Sequence, residues 1–240
     1  MSILFRRFAA ISDARWNFLT MGTDIAFFNL GLSISSPYTI LPLFAHHLTS
    51  ANWIIALIPA VRTLGIYGPP LLVAGLVERR PRVKPVLLRL TLFERLPFLL
   101  LGVGAVLLVR QPVLLLVLFF LLVFTQAAGG GLTFPGWLDL GARAIPARMR
   151  GRFLGGWSSA GNVMGVVGAA LATAIVVALP WPWNFALCFG LSFVAVAISF
   201  VLLAVSREPT RPAVYAAPPA VGSPLTRARA WLGDGWPVVR

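Results

Sequence analysis

Four charged side chains lie inside long apolar segments of this 240-residue chain: Asp24, Arg62, Glu94 and Arg95. Their formal charges sum to zero, which favours ion pairing in a medium of low dielectric constant. A carboxylic acid shielded from water can hold a proton at neutral pH, so Asp24 is a candidate for binding a proton or a cation. The alternative for Asp24 is a structural ion pair that locks helix packing.

The other three charged residues suggest different chemistry. Arg62 does not lose its proton, so it could hold an anion or pair with Asp24, but it could not carry protons. For Glu94 and Arg95 we expect a structural ion pair near a segment end, where a long arginine side chain can extend to the interface.

Neutral polar residues add two candidates for contact with a small ligand, Asn29 and Gln126. Both could instead bond neighbouring helices, which is the commoner use of such residues. His46 and His47 are adjacent and point about 100° apart on a helix, so they do not predict a metal site. The sequence has no Gly-x-Ser-x-Gly elbow and no His-Glu-x-x-His pair, so we expect neither an enzyme nor a cofactor.

The composition indicates a membrane protein. Apolar residues make up 58% of the chain and charged residues 11%, against about 25% charged in a soluble domain. So few charges cannot cover a water-soluble surface, and so many apolar residues argue against disorder. A pI near 11.8 could indicate nucleic-acid binding, but the basic residues form short clusters between the apolar segments.

Six apolar segments have the length of about 20 residues that a spanning helix needs. They cover residues 17–44, 53–77, 86–109, 112–136, 153–179 and 184–205. We therefore predict a cytoplasmic N-terminus at residues 1–16, a six-helix transmembrane domain at 17–205 and a proline-rich cytoplasmic tail at 206–240. From a rise of about 1.5 Å per residue, Asp24 and Glu94 lie ~12 Å from the inner edge and Arg62 ~16 Å, so the three could meet.

The basic residues predict the orientation of these segments. Of the 20 basic residues, 17 fall on one side of the predicted spans, which places both termini in the cytoplasm and the chain in the cytoplasmic membrane. Tryptophans agree, since several fall at span ends, where their rings favour the headgroup layer: Trp16, Trp53, Trp137, Trp181 and Trp183.

Two of the segments contain helix-breaking residues. The first has Ser33-Ile34-Ser35-Ser36-Pro37, and the fourth has Gly129-Gly130-Gly131 followed by Pro135-Gly136. Because bare backbone groups are costly in lipid, we expect both spans to be interrupted where they face protein or a wet cavity. The two spans are three apart, as in an inverted repeat with a binding site at the repeat interface; kinks that only help packing are the alternative. Glycines 151, 155, 161, 165 and 168 on the fifth span predict close helix contacts, inside this unit or with a second one.

Three loops resemble those of the major facilitator superfamily, in its amino-terminal six-helix half. Between the second and third spans the family has Gly-x-x-x-Asp-Arg-x-Gly-x-Arg, and this chain has residues 74–84, AGLVERRPRVK, which include Glu78 and Arg79. Between the fourth and fifth spans Arg150-Gly151-Arg152 is similar to the family's Pro-x-x-x-Arg-Gly-Arg loop, and Arg207-Glu208-Pro209 is similar to the end of its sixth helix. The run LFERLP at 92–97 resembles a bacterial subgroup of permeases.

The resemblance implies a 3+3 inverted repeat and a secondary transporter that moves a small solute by alternating access. It implies a cavity lined by spans one, two, four and five, with structural or gating roles for Glu78, Arg79, Arg150, Gly151 and Arg152. Asp24 would then couple transport to a proton or cation, with Arg62 as its charge partner and Asn29 and Gln126 as polar contacts.

Members of that family usually have twelve spans in two halves, so we expect this chain to be a truncated piece, a split half with a separate partner, or a subunit of a homodimer. Truncation is favoured because the tail ends without a structural stop of its own. The partners expected are therefore lipid, a small solute and a second six-helix unit, and not nucleic acid. The alternative function is a non-transporting membrane assembly partner or relic.

Overall fold

The computed structural model describes residues 12–77 and 82–209, and these residues form helices with no strand among them. The helices in the described residues are α1 (Asp13–Ile34), α2 (Ile40–Leu48), α3 (Asn52–Val77), α4 (Lys84–Leu107), α5 (Pro112–Ala144), α6 (Ala147–Ala178) and α7 (Trp183–Val205). Four of them, α4 to α7, are long and apolar enough to cross a membrane. The prediction of an all-helical membrane protein is confirmed at this level, while six spanning helices in an inverted repeat stay a prediction.

The first predicted span is interrupted, as expected. Helix α1 ends at Ile34 and α2 begins at Ile40. Pro37 has no backbone donor, and the two serines before it can bond locally instead of continuing the helix. At the break Leu41 N–H donates to the backbone oxygen of Ser36, and the Ser35 hydroxyl lies 2.6 Å from the Ser192 hydroxyl of α7.

The predicted interruption of the fourth span is wrong, because α5 is one helix from Pro112 to Ala144 and continues through all three glycines and Pro135. The glycines permit close backbone contact instead. A Cβ atom on Gly129 would lie 2.6 Å from the backbone nitrogen of Glu94, and one on Gly131 would lie 2.1 Å from the carbonyl oxygen of Ile66. Helix α5 thus packs backbone to backbone against α4 on one side and α3 on the other.

The bundle has four inner helices and two outer ones. Helix α1 packs against α6 and α7, α5 packs against α3 and α4, and α4 packs against α7. The short α2 extends α1 across the ends of α3 and α5. Helices α3 and α6 each have one main neighbour, and among the described residues α6 buries only one stripe, which comprises Phe153, Gly161, Gly168 and Ala172.

Two apolar clusters lie at opposite ends of the bundle. The Phe44 cluster joins α2 to α4, α5 and α7, and Phe44 contacts the rings of Phe119, Phe185 and Phe189 at centroid distances of 5.6, 5.4 and 5.2 Å. The second group, called here the Met21 cluster, joins the other ends of α1, α4, α5, α6 and α7. Between them the helices bring polar side chains together.

The close contact at Gly131 is testable. We expect Gly131→Ala to lower the free energy of unfolding by about 1–3 kcal/mol, because its new methyl group would overlap the Ile66 backbone and force α3 away from α5. Gly156→Ala is the control, since no atom lies within 4 Å of its added Cβ. Thermal unfolding of both variants in detergent measures the difference, and equal stability would contradict backbone contact at Gly131.

Candidate functional site

A cavity of about 390 Å³ lies beside the Met21 cluster and is walled by α1, α4, α5, α6 and α7. Its mouth lies between α5 and α6, where the lining residues Phe134, Leu138, Leu154 and Ser158 are exposed. Helix α3 supplies none of the lining among the described residues, contrary to the expectation for the second span. Helix α4 lines the cavity, although the third span was not expected to do so.

Asp24 is buried on the cavity wall, and both of its oxygens accept hydrogen bonds. The indole N–H of Trp137 donates to Oδ2 at 2.9 Å, and the hydroxyl of Ser199 donates to Oδ1 at 2.6 Å. These donors come from α5 and α7, so the carboxylate of α1 links three helices. The coupling role of Asp24 stays a prediction.

Arg95 is 4% exposed and points into the bundle, so the expectation that it extends to the interface is wrong. Its Nε donates to Val196 O at 3.0 Å and its Nη2 to the Ser199 hydroxyl at 3.1 Å. The guanidinium also lies 5.7 Å from the ring centroids of both Phe28 and Phe200, where cation–π attraction favours it. Arg95 is therefore held by α7 and by two aromatic rings.

Glu94 lies on the same wall but is held loosely. Its Oε2 is 3.5 Å from Arg95 Nη1, and the Thr133 hydroxyl donates to the same oxygen at 3.3 Å. Its Oε1 lies beside Gly130, where a Cβ atom would come within 2.9 Å of it. Among the described residues Oε1 accepts no hydrogen bond. The expected ion pair with Arg95 is present, but it sits in the cavity wall.

Arg62 does not meet Asp24. Its Nη1 donates to Gln126 Oε1 at 3.1 Å, across the close contact of α3 with α5 at Gly65, and neither residue lines the cavity. Arg62 forms no ion pair within the part of the chain that the structure describes. Asn29 does line the cavity, but its amide donates to Ile25 O in its own helix at 2.9 Å.

The structure thus brings together Asp24, Asn29, Glu94 and Arg95, and it adds three residues that sequence reasoning missed. The tryptophan pattern predicts a headgroup position for Trp137, and no pattern singles out Ser199 or Thr133. Serine and threonine are common in membrane helices, so their identity alone carries no signal. A spacing signal does exist, since Gln126, Gly130, Thr133 and Trp137 lie four, three and four residues apart on one face of α5.

A second polar cluster closes the end of the bundle next to the Met21 cluster. Glu208 accepts hydrogen bonds from the backbone N–H groups of Val83 and Lys84 at 2.7 and 3.2 Å, at the start of α4, and lies 3.7 Å from Arg143 of α5. Helix N-termini favour such a negative charge. Residues 206–209 are therefore attached to the bundle, although the sequence assigned them to a linker.

The remaining predicted gating residues differ in their contacts. Arg150 donates from Nε to Ile145 O at 3.1 Å and from Nη2 to Ala142 O, so it satisfies free carbonyls at the end of α5. Gly151 and Arg152 are exposed, and nothing lies within 4 Å of a Cβ added to Gly151. Glu78 and Arg79 lie outside the described residues.

Comparison of the chain with protein-family models, curated proteins and solved structures finds no match. Within the described residues, no group of three or more His, Cys, Asp or Glu side chains is placed to hold a metal ion. A function for the cavity must therefore follow from its own residues. These are the buried network of Asp24, Glu94 and Arg95 and an apolar, aromatic wall beside it.

The network makes a stability prediction. Arg95→Met leaves the buried Asp24 and Glu94 carboxylates without their cation, so we expect it to destabilise the fold by about 3–5 kcal/mol. Arg110→Met is the control, because Arg110 is exposed in the α4–α5 turn. Unfolding midpoints in detergent compare the two, and a loss no larger than that of the control would show that Arg95 does not neutralise the acids.

Proposed function

We propose that this chain is a secondary transporter of the major facilitator type, or one half of such a transporter, and that it moves a small solute by alternating access. The observation that carries the proposal is the cavity, which brings ionisable groups to the middle of a helical membrane protein. Ionisable residues at such depth are costly and typically belong to ion or substrate pathways. The apolar and aromatic wall would contact the body of the solute, and Asn29 and the cavity acids would contact its polar groups.

The packing of the helices supports an inverted repeat. Exchanging α1 with α5, α3 with α6 and α4 with α7 turns each main packing pair into another main packing pair. The pair α1 and α6 becomes α5 and α3, the pair α1 and α7 becomes α5 and α4, and the pair α4 and α7 is unchanged. Such exchange symmetry is expected of two three-helix repeats, with the site where they meet.

The charge distribution supports the orientation proposed from the sequence. The ends of α5 and α7 and the starts of α4 and α6 carry Lys84, Arg143, Arg148, Arg150 and Arg207 at one end of the bundle. We propose that this end faces the cytoplasm, in the cytoplasmic membrane, and that the cavity lies in the inner half of the bilayer.

The cavity mouth supports a second helical unit as partner. A cavity with ionisable groups in its wall that opens sideways between α5 and α6 would face lipid in an isolated chain, and buried polar groups avoid lipid. The uncovered face of α6 borders the mouth, and no atom lies within 4 Å of a Cβ added to Gly155, Gly156 or Gly165 on this helix. We propose that a second six-helix unit, from a separate chain or a second copy, covers this side.

Blocking the mouth tests the transport function. We expect Ser158→Trp to reduce solute counterflow in vesicles at least about tenfold, equivalent to ~1.4 kcal/mol, because the indole would fill the cavity entrance. Ser159→Trp is the matched control, since Ser159 is exposed on the neighbouring position of α6 but does not line the cavity. The assay uses the chain with any partner that copurifies and a panel of labelled sugars, amino acids and organic acids.

Two results would contradict transport through this cavity. One is the absence of counterflow for every solute of the panel with the wild-type assembly. The other is equal flux for the two tryptophan variants when both insert and fold to the same extent.

Cross-linking tests the partner. The chain's one cysteine, Cys188, is buried, so a new cysteine can be addressed selectively. We expect Leu138→Cys, at the mouth, to cross-link in membranes, whereas Val201→Cys, exposed on α7 and not in the cavity lining, does not. A product of twice the chain mass indicates a second copy and any other mass a separate unit. No product above the Val201→Cys level would contradict a covered mouth.

A further inference from the structure

The two carboxylates of the cavity differ in what their oxygens contact. Asp24 accepts a hydrogen bond at each oxygen, at 2.6 and 2.9 Å. Glu94 has two longer contacts, both to Oε2, and its Oε1 faces the cavity beside Gly130 with no hydrogen-bond donor among the described residues. Glu94 therefore has an oxygen without a hydrogen bond, whereas both oxygens of Asp24 accept one.

The donors around Asp24 have a fixed direction. The indole of Trp137 can only donate, so Asp24 Oδ2 must accept. Arginine also only donates, so Arg95 Nη2 donates to the Ser199 oxygen, and the Ser199 hydroxyl hydrogen is left to donate to Asp24 Oδ1. Two hydrogen bonds accepted by a carboxylate favour its charged form, so this arrangement favours ionised Asp24.

The charge balance leaves one carboxylate in excess. The charged groups that face Glu94 are Arg95 on its own helix and Asp24 on α1. From α5, Gly130 and Thr133 approach it, and neither carries a charge. With Asp24 ionised and Arg95 protonated the network is already neutral, so an ionised Glu94 adds a net negative charge in a medium of low dielectric constant. A single bound cation at Glu94 restores neutrality.

That cation is a proton rather than a metal ion. Hard metal cations take six or more oxygen ligands, and here one free carboxylate oxygen lies in an otherwise mostly apolar wall. A proton needs one oxygen and leaves the contacts of Oε2 in place.

We propose that Glu94 is the proton-binding residue of the cavity and that Asp24 is a positioning residue, which holds Arg95 through Ser199 and supplies its permanent counter-charge. The use of this proton to drive a solute rests on the proposed transport function, but the binding of the proton does not. The assignment of coupling to Asp24, predicted from the sequence, is replaced by an assignment to Glu94.

Infrared spectroscopy of the purified chain tests the proposal without a solute. The carbonyl stretch of a protonated, buried carboxyl group is followed as the pH is lowered. We expect one such band in the wild-type protein and its loss in Glu94→Gln, which copies the neutral form of the residue and should fold. Asp139→Asn, which replaces a more exposed acid of α5, should leave the band in place.

Variants around Asp24 distinguish its role from a merely structural one. Trp137→Phe removes one donor from Asp24 and should leave the Glu94 band. Asp24→Asn removes the competing negative charge, so Arg95 is left to Glu94 alone and the band should appear only in more acidic buffer, by about one pH unit or more. If Asp24→Asn does not fold, Thr133→Val provides the second measurement, because loss of a donor to ionised Glu94 should make the band appear in less acidic buffer.

The outcomes separate the two proposals. A band that survives Glu94→Gln, or that disappears in Trp137→Phe, overturns the assignment to Glu94. A band that behaves as expected in a chain that moves no solute keeps the proton site and removes the transport function. Intact counterflow in the wild-type assembly, together with a band that does not depend on Glu94, keeps the transport function and removes the proton site at Glu94.

Discussion

A guanidinium group inside a helical bundle has to be neutralised and hydrogen-bonded where it lies, and Arg95 imposes this requirement on every helix around it. It takes a backbone carbonyl and a hydroxyl from α7, a counter-charge from Asp24 of α1 through that hydroxyl, and a second, weaker contact from Glu94. Trp137 and Thr133 extend the network to α5. One charge and its partners thus link α1, α4, α5 and α7.

The rest of the fold makes this network possible by closing the bundle at both ends. The Phe44 cluster and the Met21 cluster are apolar, and the polar groups lie between them. Glycines on α5 let the neighbouring backbones approach closely enough for short side chains such as Thr133 to reach across. The cavity remains where α5 and α6, though consecutive in the chain, do not pack together. Oε1 of Glu94 faces this cavity.

Much of the candidate site could be predicted because charge is rare in apolar segments. Asp24, Glu94 and Arg95 were found in this way, and Asn29 also lines the cavity. The partner of Arg62 was predicted wrongly, since a rise per residue estimates depth but not the direction in which a side chain leaves its helix. The site role of Trp137 was not predicted for a related reason: α5 continues eight residues beyond the predicted end at residue 136, and the Trp137 side chain lines the cavity.

The sequence by itself determined the helical class, the apolar segments and the break after Ile34, because these depend on composition and on residues close together in the chain. The tertiary structure decided whether Gly129 to Gly131 break a helix. The helix continues through them, and the missing side chains leave room for α3 and α4. It also decided which carboxylate keeps an oxygen without a hydrogen bond. The groups that donate hydrogen bonds to Asp24 come from residues 137 and 199, more than a hundred positions away in the chain. No local pattern records such a contact, because it exists only once the helices have packed.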